Sequence, residues 1–217
     1  MAYYKAVRPN GTSFHNGIFR WLPESGPVEG HTVTHPTASY VGRYASQYLS
    51  VSVSPTDCTG MEWPCRLFEV EPVDGHEVTV PHPATMPNKR AAVAWRIVRE
   101  LPATDALGPQ GAQVAALIKR VGRLTAADDM RLYDAWCAAM YTEGKAAWDA
   151  ARAGALDAAR SAAWVAVRDA AIGATLDDAA LALLARDIIS TVHYDALTMP
   201  WRTAIGPIHP DDPDFYN

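Results

Sequence analysis

The spacing of hydrophobic residues changes once along this chain, near the segment LPATDALGPQG at residues 101–111. Before this segment, runs such as YLSVSVS and CRLFEVEP alternate apolar and polar residues, which is the period of a half-buried β-strand. After it, Val114, Leu117 and Val121 follow the spacing of one face of an α-helix. We therefore expect an α+β fold in which a β-rich head is followed by an α-helical region.

The sequence suggests three parts: a β-rich head at residues 1–104, a helical region at 105–198 and a proline-rich tail at 199–217. A chain of 217 residues is long enough to bury a substantial core. The segment HYDALTMPWRTAIGPIHPDDPDFYN contains four prolines, and we expect it not to form a long helix, because proline lacks the backbone donor that a helix interior needs. Trp201, Ile205 and Ile208 predict that the tail docks onto the rest of the protein.

Within the head, the strand candidates are YYKAV, IFRW, YLSVSVS, CRLFEVEP, HEVTV and AAVAWRIVREL. In CRLFEVEP, Phe68 and Val70 are predicted to face the core, so Glu69 and Glu71 share the opposite face. In YLSVSVS the serines point away from the apolar residues. The sequence thus predicts a serine face and a glutamate face in the same sheet.

In the helical region, Thr125 and Asp128 predict the capped start of a helix. The next segment repeats AWDAAR, ALDAAR and AWVAVR at steps of eight residues, or about 2.2 helical turns, so its tryptophans cannot form a straight seam. Thr175 is predicted to cap a last helix. The apolar stripes are predicted to comprise Tyr133, Trp136, Cys137 and Met140 in the first helix, and Leu181, Leu184 and Ile188 in the last.

Charge and hydropathy limit the possible partners. The formal net charge is -5 and no basic run occurs, so nucleic acid is an unlikely partner. The start MAYYKAVRPNG has no apolar signal-peptide core, and no window approaches 18 uncharged apolar residues. We expect a cytoplasmic protein without a membrane partner.

The cysteines and histidines predict no metal site. Cys58 and Cys65 are separated by six residues, which exceeds the spacing of a zinc knuckle, and no second pair follows. His31 and His35 lie in the strand-like run HTVTHP, so they would not share a helical face. We expect reduced, packed cysteines, while a hairpin disulfide between Cys58 and Cys65 stays open.

Several segments resemble a group of uncharacterised proteins from actinobacteria and their phages. The segments are YYKAVRPNGTSFHNG, YLSVSVSPTDCTGMEWPCRLFEVEPV, AWRIVRELPATDALGP and HYDALTMPWRTAIGPIHPDD. The head is also similar to a bacterial and phage domain of unknown function that begins with a Tyr–Lys strand and ends at VREL. The resemblance implies a β-rich head, a helical region of variable length and a phage context. It brings no known activity.

The head also resembles ADP-ribosyltransferases in three ordered features: an arginine after the first strand, an aromatic-Ser-x-Ser strand and a Glu-x-Glu pair. This resemblance implies that the arginine holds the phosphates of NAD and that the second glutamate stabilises an oxocarbenium-like centre. The serine and glutamate motifs are about twenty residues apart here, which is shorter than that fold usually allows. The implied catalytic residues are Ser52, Glu69 and Glu71, and the implied cofactor-binding residues are Arg8, Tyr48 and Ser50.

The competing interpretation is a module that binds a protein partner or a second copy of itself and needs no cofactor. The sequence has no phosphate-binding glycine loop, catalytic triad signature or dinucleotide fingerprint. An exposed aromatic side chain would favour binding, and the candidates are Trp21, Trp63 and Trp201. We expect a soluble binding or interaction module, with the NAD-dependent enzyme as the alternative.

Overall fold

The computed structural model of the chain is an α+β structure, which confirms the predicted fold class. It divides into two compact units, residues 1–106 and residues 107–217, whereas the sequence places the end of the β-rich head near residue 104. The structure describes residues 2–14, 17, 19–38, 47–58, 62–81, 83–141, 149–150, 153 and 174–208.

The first unit is built on an antiparallel sheet. Its strands, within the described residues, are β1 Tyr3–Val7, β2 Thr32–Thr34, β3 Leu49–Ser52, β4 Arg66–Pro72, β5 Lys89–Ala92 and β6 Ala94–Leu101. Their order in the sheet is β2-β6-β4-β1-β3-β5. A short 3-10 helix, Pro55–Asp57, follows β3.

A single residue, Val93, separates β5 from β6, although these two strands lie near opposite ends of the sheet. One bent stretch of chain therefore pairs with β3 in its first half and with β4 and β2 in its second half. The sheet must curl strongly for both pairings to exist together. Trp95 spans the curl, because its indole Nε1 donates a 3.0 Å hydrogen bond to the carbonyl oxygen of Leu49.

The inner face of the curled sheet holds the hydrophobic core of this unit. Phe68 and Val70 of β4 face this core, as predicted from their alternation. Burial of large side chains here supplies stability at roughly 25 cal/mol per Å² of apolar surface. The buried core residues are Val7, Trp21, Leu22, Val33, Leu49, Val51, Phe68, Val70, Ala92, Trp95 and Ile97.

Three predicted strands of the head differ from the structure. The described part of IFRW forms only an isolated bridge from Arg20 to Thr12, and HEVTV forms only a bridge from Thr79 to Ala91. AAVAWRIVREL is divided between β5 and β6. The apolar residues of IFRW serve a different purpose, because Phe19 and Trp21 cover the core from a loop instead of extending the sheet.

The second unit is helical. Its described helices of more than one turn are α1 Gly111–Val121, α2 Ala126–Tyr141, α3 Ala174–Leu184 and α4 Thr191–Ala204. α3 packs against α1 and α4, and α2 packs against α4. The core between α3 and α4 contains Leu181, Ala182, Ala185 and Leu197.

The predicted start of α2 is confirmed. The Thr125 hydroxyl accepts a 3.2 Å hydrogen bond from the backbone N–H of Asp128. The Asp128 carboxylate in turn accepts from the backbone N–H and the hydroxyl of Thr125, at 2.9 and 2.8 Å. This reciprocal pair satisfies donors that the first helical turn leaves without an internal partner. These hydrogen bonds and Arg131 lower the pKa of Asp128 to about 2.

The region around Pro200 differs from the sequence expectation, because α4 continues through this proline to Ala204. Pro200 cannot donate in the helix interior, which normally disfavours a helix. Pro200 is buried in the packed side of the helix, and this burial offsets the cost.

Ile188 also differs from its prediction, because its side chain is 65 % exposed instead of buried. α3 ends at Leu184, so Ile188 lies in the following turn and leaves the helical stripe to which Leu181 belongs. The alanine-rich repeat lies outside the described residues, except for residues 149, 150 and 153. Within the described residues, no helix combines the length and the apolar character needed to cross a membrane.

Candidate functional site

The outer face of the sheet carries a row of polar residues that crosses five strands. Directly paired residues in this row are Lys89, Ser52, Tyr4, Glu69 and Arg99, on β5, β3, β1, β4 and β6 in that order. Paired residues of antiparallel strands point to the same face. The predicted serine and glutamate faces are therefore the same face, and Ser52 and Glu69 flank Tyr4 from its two sides.

A β-bulge in β6 determines how the glutamates are paired. Glu69 lies opposite Arg99 and Val70 lies opposite Ile97, so Val98 has no counterpart on β4. This extra residue places Arg96 and Arg99, which are three positions apart, on the face of Glu69 and Glu71, which are two apart. The ion pairs are 2.8 Å for Arg99–Glu69 and 2.6 Å for Arg96–Glu71. Both glutamates thus already have a cationic partner.

Ser52 belongs to a buried hydrogen-bonded cluster with Lys89. The Lys89 ammonium donates to the Ser52 hydroxyl at 2.8 Å and to the Asp57 carbonyl at 2.7 Å. The Ser52 hydroxyl donates to the same carbonyl at 2.9 Å. Ser52 is 1 % exposed and Lys89 is 7 % exposed, and burial lowers the pKa of Lys89 although Cys58 and Asp57 oppose this shift. The cluster fixes the 3-10 helix on the sheet.

Ser50 and Tyr48 have different environments. The half-buried Ser50 offers its backbone carbonyl to the Lys5 ammonium, at 3.1 Å. Lys5 lies on the inner face of β1, with its Nζ 4.6 Å from the centre of the Trp21 ring. Burial lowers the pKa of Lys5 to about 8, with a raising effect from Cys58 and a further lowering effect from Lys89. Burial also raises the pKa of Tyr48.

Arg8 lies away from Glu71. Val7, the last residue of β1, is paired with Arg66, and Glu71 lies five positions further along β4. At about 3.4 Å per residue, this offset is roughly 17 Å along the strand. The Arg8 guanidinium forms a 2.7 Å ion pair with Glu62 and donates to the carbonyl oxygens of Ser13 and Phe14. The structure thus brings Ser52 and Glu69 to one row but does not bring Arg8 to Glu71.

Cys58 and Cys65 are both buried, and no disulfide joins them. Burial, with a smaller effect from Cys58, raises the pKa of Cys65 to about 12, so this thiol is poorly suited to act as a nucleophile. Among the residues that the structure describes, no group of histidine, cysteine, aspartate and glutamate side chains could hold a metal ion.

The candidate aromatic anchors are placed differently from the sequence prediction. Trp21 and Trp201 are 2 % and 0 % exposed, so they are core residues, and Trp63 is half-buried. Among the residues that the structure describes, the exposed aromatic is instead Tyr133 of α2, which is 63 % exposed and stacks on Trp136 with ring centres 6.4 Å apart. The sequence placed both residues on one stripe, but it did not indicate that Tyr133 faces solvent while Trp136 is half-buried.

A second exposed apolar surface lies on α4. An open groove of about 390 Å³ is lined by Val192, Asp195, Ala196, Met199 and Arg202. Val192 is 73 % exposed and Met199 is 50 % exposed. The polar groups of the groove are an aspartate and an arginine that pair with each other, with 3.2 Å between Oδ1 and Nη1.

No protein-family model matches the chain, and neither a curated protein nor a solved structure is significantly similar to it.

The role of the Ser52 cluster can be tested with Ser52→Ala. We expect a loss of about 1–3 kcal/mol in the free energy of unfolding, because the Lys89 ammonium and the Asp57 carbonyl each lose a buried partner. Denaturant titration measures this change. The matched control is Ser50→Ala on the same strand, where only the backbone carbonyl accepts a hydrogen bond, and its effect should stay below about 0.5 kcal/mol. Equal losses in the two variants would contradict the assignment.

The lowered pKa of Lys5 predicts a pH dependence of stability. Between about pH 8 and the usual lysine value near 10.4, the unfolded chain binds a proton that the folded Lys5 has released. The free energy of unfolding should therefore rise with pH in this window because of Lys5. Lys5→Met should reduce this slope. Below pH 7, the difference in free energy of unfolding between the wild type and the variant should not change with pH. If the free energies of unfolding of the two proteins changed in parallel with pH up to about pH 10, the prediction would be wrong.

Proposed function

We propose that the chain is a protein-binding module whose partner docks on the outward face of α2. The observation that carries the proposal is the exposure of two large side chains on this helix, 69 % for Met130 and 63 % for Tyr133. Aromatic residues and methionine are enriched at protein interfaces, where a few such anchors provide most of the binding free energy.

The anchors are held in a defined orientation. Met130, Tyr133 and Trp136 follow one another at intervals of three, so they lie along one side of the helix. Tyr133 and Trp136 stack with an interplanar angle of 28°. Leu132 is 3 % exposed and α2 packs against α4, so the opposite side of α2 is anchored in the helical unit. Because Tyr133 is already stacked on Trp136, its side chain loses less conformational freedom on binding than an unstacked tyrosine would.

The charges around these anchors indicate the chemistry of the partner. Asp129 and Asp134 are exposed, and each lies four positions from one of the anchors, Tyr133 and Met130 respectively. The whole chain carries a formal charge of -5. A partner with an apolar pocket or stripe bordered by lysine and arginine would complement this surface. In keeping with the sequence resemblance, we propose that this partner is met in the cytoplasm of an actinobacterium, with the chain acting as a bacterial or phage accessory protein.

A model peptide can test the recognition chemistry. An amphipathic helix of leucine and lysine should bind the full chain, whereas the same helix with glutamate in place of lysine should not. The double variant Met130→Ser/Tyr133→Ser should bind the basic peptide at least about tenfold more weakly, because it lacks both anchors. Fluorescence anisotropy of the labelled peptide measures the affinity.

The matched control for this experiment is Met86→Ser, which removes an exposed methionine from the first unit and should leave peptide affinity unchanged. Equal binding of the basic and acidic peptides, or full affinity in the double variant, would contradict the proposal.

An NAD-dependent ADP-ribosyltransferase that uses Arg8, Ser52 and Glu71 is the second candidate. The observation in its favour is that the serines of β3 and the glutamates of β4 share one face. Incubation with labelled NAD and acceptor proteins tests it, with Glu71→Gln as the variant and Glu77→Gln as the control. We expect no NAD-dependent labelling, because Arg96 pairs with Glu71 and Arg8 lies toward the other end of β4. Labelling that disappears only in Glu71→Gln would favour the enzyme.

A further inference from the structure

We propose that two copies of this chain form a symmetric dimer in which the exposed faces of their α4 helices pack together in antiparallel orientation. This surface is separate from the anchors on α2, so the inference does not depend on the partner proposed above.

The α4 face combines bulky and small apolar residues at helical spacing. Val192, Ala196 and Met199 follow one another at intervals of four and three, so they lie on one side of the helix. Ile188, which is 65 % exposed, lies in the turn that precedes α4. On the other side, Leu197 and Trp201 are 1 % and 0 % exposed, so the orientation of α4 is fixed by its own core. The small Ala196 between two bulky side chains leaves room for a side chain of another helix.

The charges on this face complement one another. Asp195 and Arg202 are seven residues apart, one on each side of Met199, and they already pair at 3.2 Å within the chain. The groove therefore contains one acid and one base in mirror positions around an apolar centre. A symmetric dimer requires a surface that is complementary to itself, and this arrangement meets that requirement. The acidic border of α2 instead fits a partner of opposite charge.

The charge pattern selects one register for the two helices. When the two-fold axis passes near Met199, this residue meets its own copy, and Asp195 lies opposite Arg202 of the second copy on both sides. Val192 then lies over the end of the second α4, next to Ile205. A two-fold axis near Ala196 would bring the two copies of Asp195 together, and their repulsion disfavours that register.

Sedimentation velocity on the full chain tests the dimer. The chain mass is 23.5 kDa, so the dimer has twice this mass, 47 kDa. We expect the dimer at about 100 μM and the monomer for Met199→Asp and Val192→Asp at the same concentration. Met86→Asp, on the first unit, is the control and should remain dimeric. A monomeric wild-type chain, or a dimer that both α4 variants preserve, would overturn the proposal.

Charge reversal across two chains gives a more specific test. Asp195→Arg yields a chain with two bases at these positions, and Arg202→Asp yields a chain with two acids. Each variant alone should self-associate at least about tenfold more weakly than the wild type, because like charges face each other. An equimolar mixture should recover a heterodimer with the wild-type affinity. An ion pair that acts only within one chain cannot produce this recovery, so a mixture that stays monomeric would overturn the proposed register.

Discussion

The bend at Val93 is the constraint on which the first unit depends. Because β5 and β6 are one continuous stretch of chain, the two ends of the sheet cannot move apart without breaking this stretch away from β3 or β4. The curl that follows encloses the core, and Trp95 fills it while binding the Leu49 carbonyl across the interior. Displacing the β5–β6 stretch would therefore disturb pairing near both ends of the sheet.

The same curvature gives the two faces of β1 different chemistry. Inside, Lys5 donates to a carbonyl oxygen and lies over Trp21, where burial makes its positive charge costly. Outside, Tyr4 lies between Ser52 and Glu69 in a row that begins and ends with a basic residue. Most charges of this outer row are paired within the sheet. The exposed apolar side chains of α2 and α4, in contrast, are accessible to other molecules.

Local pattern was sufficient to predict much of this structure. Alternation placed Phe68 and Val70 in the core with Glu69 and Glu71 opposite, and the Thr125–Asp128 pair marked the start of α2. The bend at Val93 and the bulge at Val98 have no local signal, because neither position carries glycine or proline and both are set by pairing with distant strands. For α4, proline propensity predicted a break, but the burial of Pro200 and of the neighbouring Leu197 and Trp201 in the packed side of the helix outweighs it. The side of α2 that is exposed depends on how α2 packs against α4. The helical period of the apolar residues alone cannot specify this packing.

The contacts of Arg120 on α1 limit how far the C-terminal end of the helical unit can be truncated. Its guanidinium donates to the carbonyl oxygens of Ile205 and Pro207, and it lies over the ring of Trp201. These acceptors come after the last turn of α4, in chain without regular structure. The segment up to about Pro207 therefore contributes to the packing of the helical unit. A chain truncated at the end of α4 would leave the Arg120 guanidinium over the buried Trp201 ring without its two carbonyl acceptors.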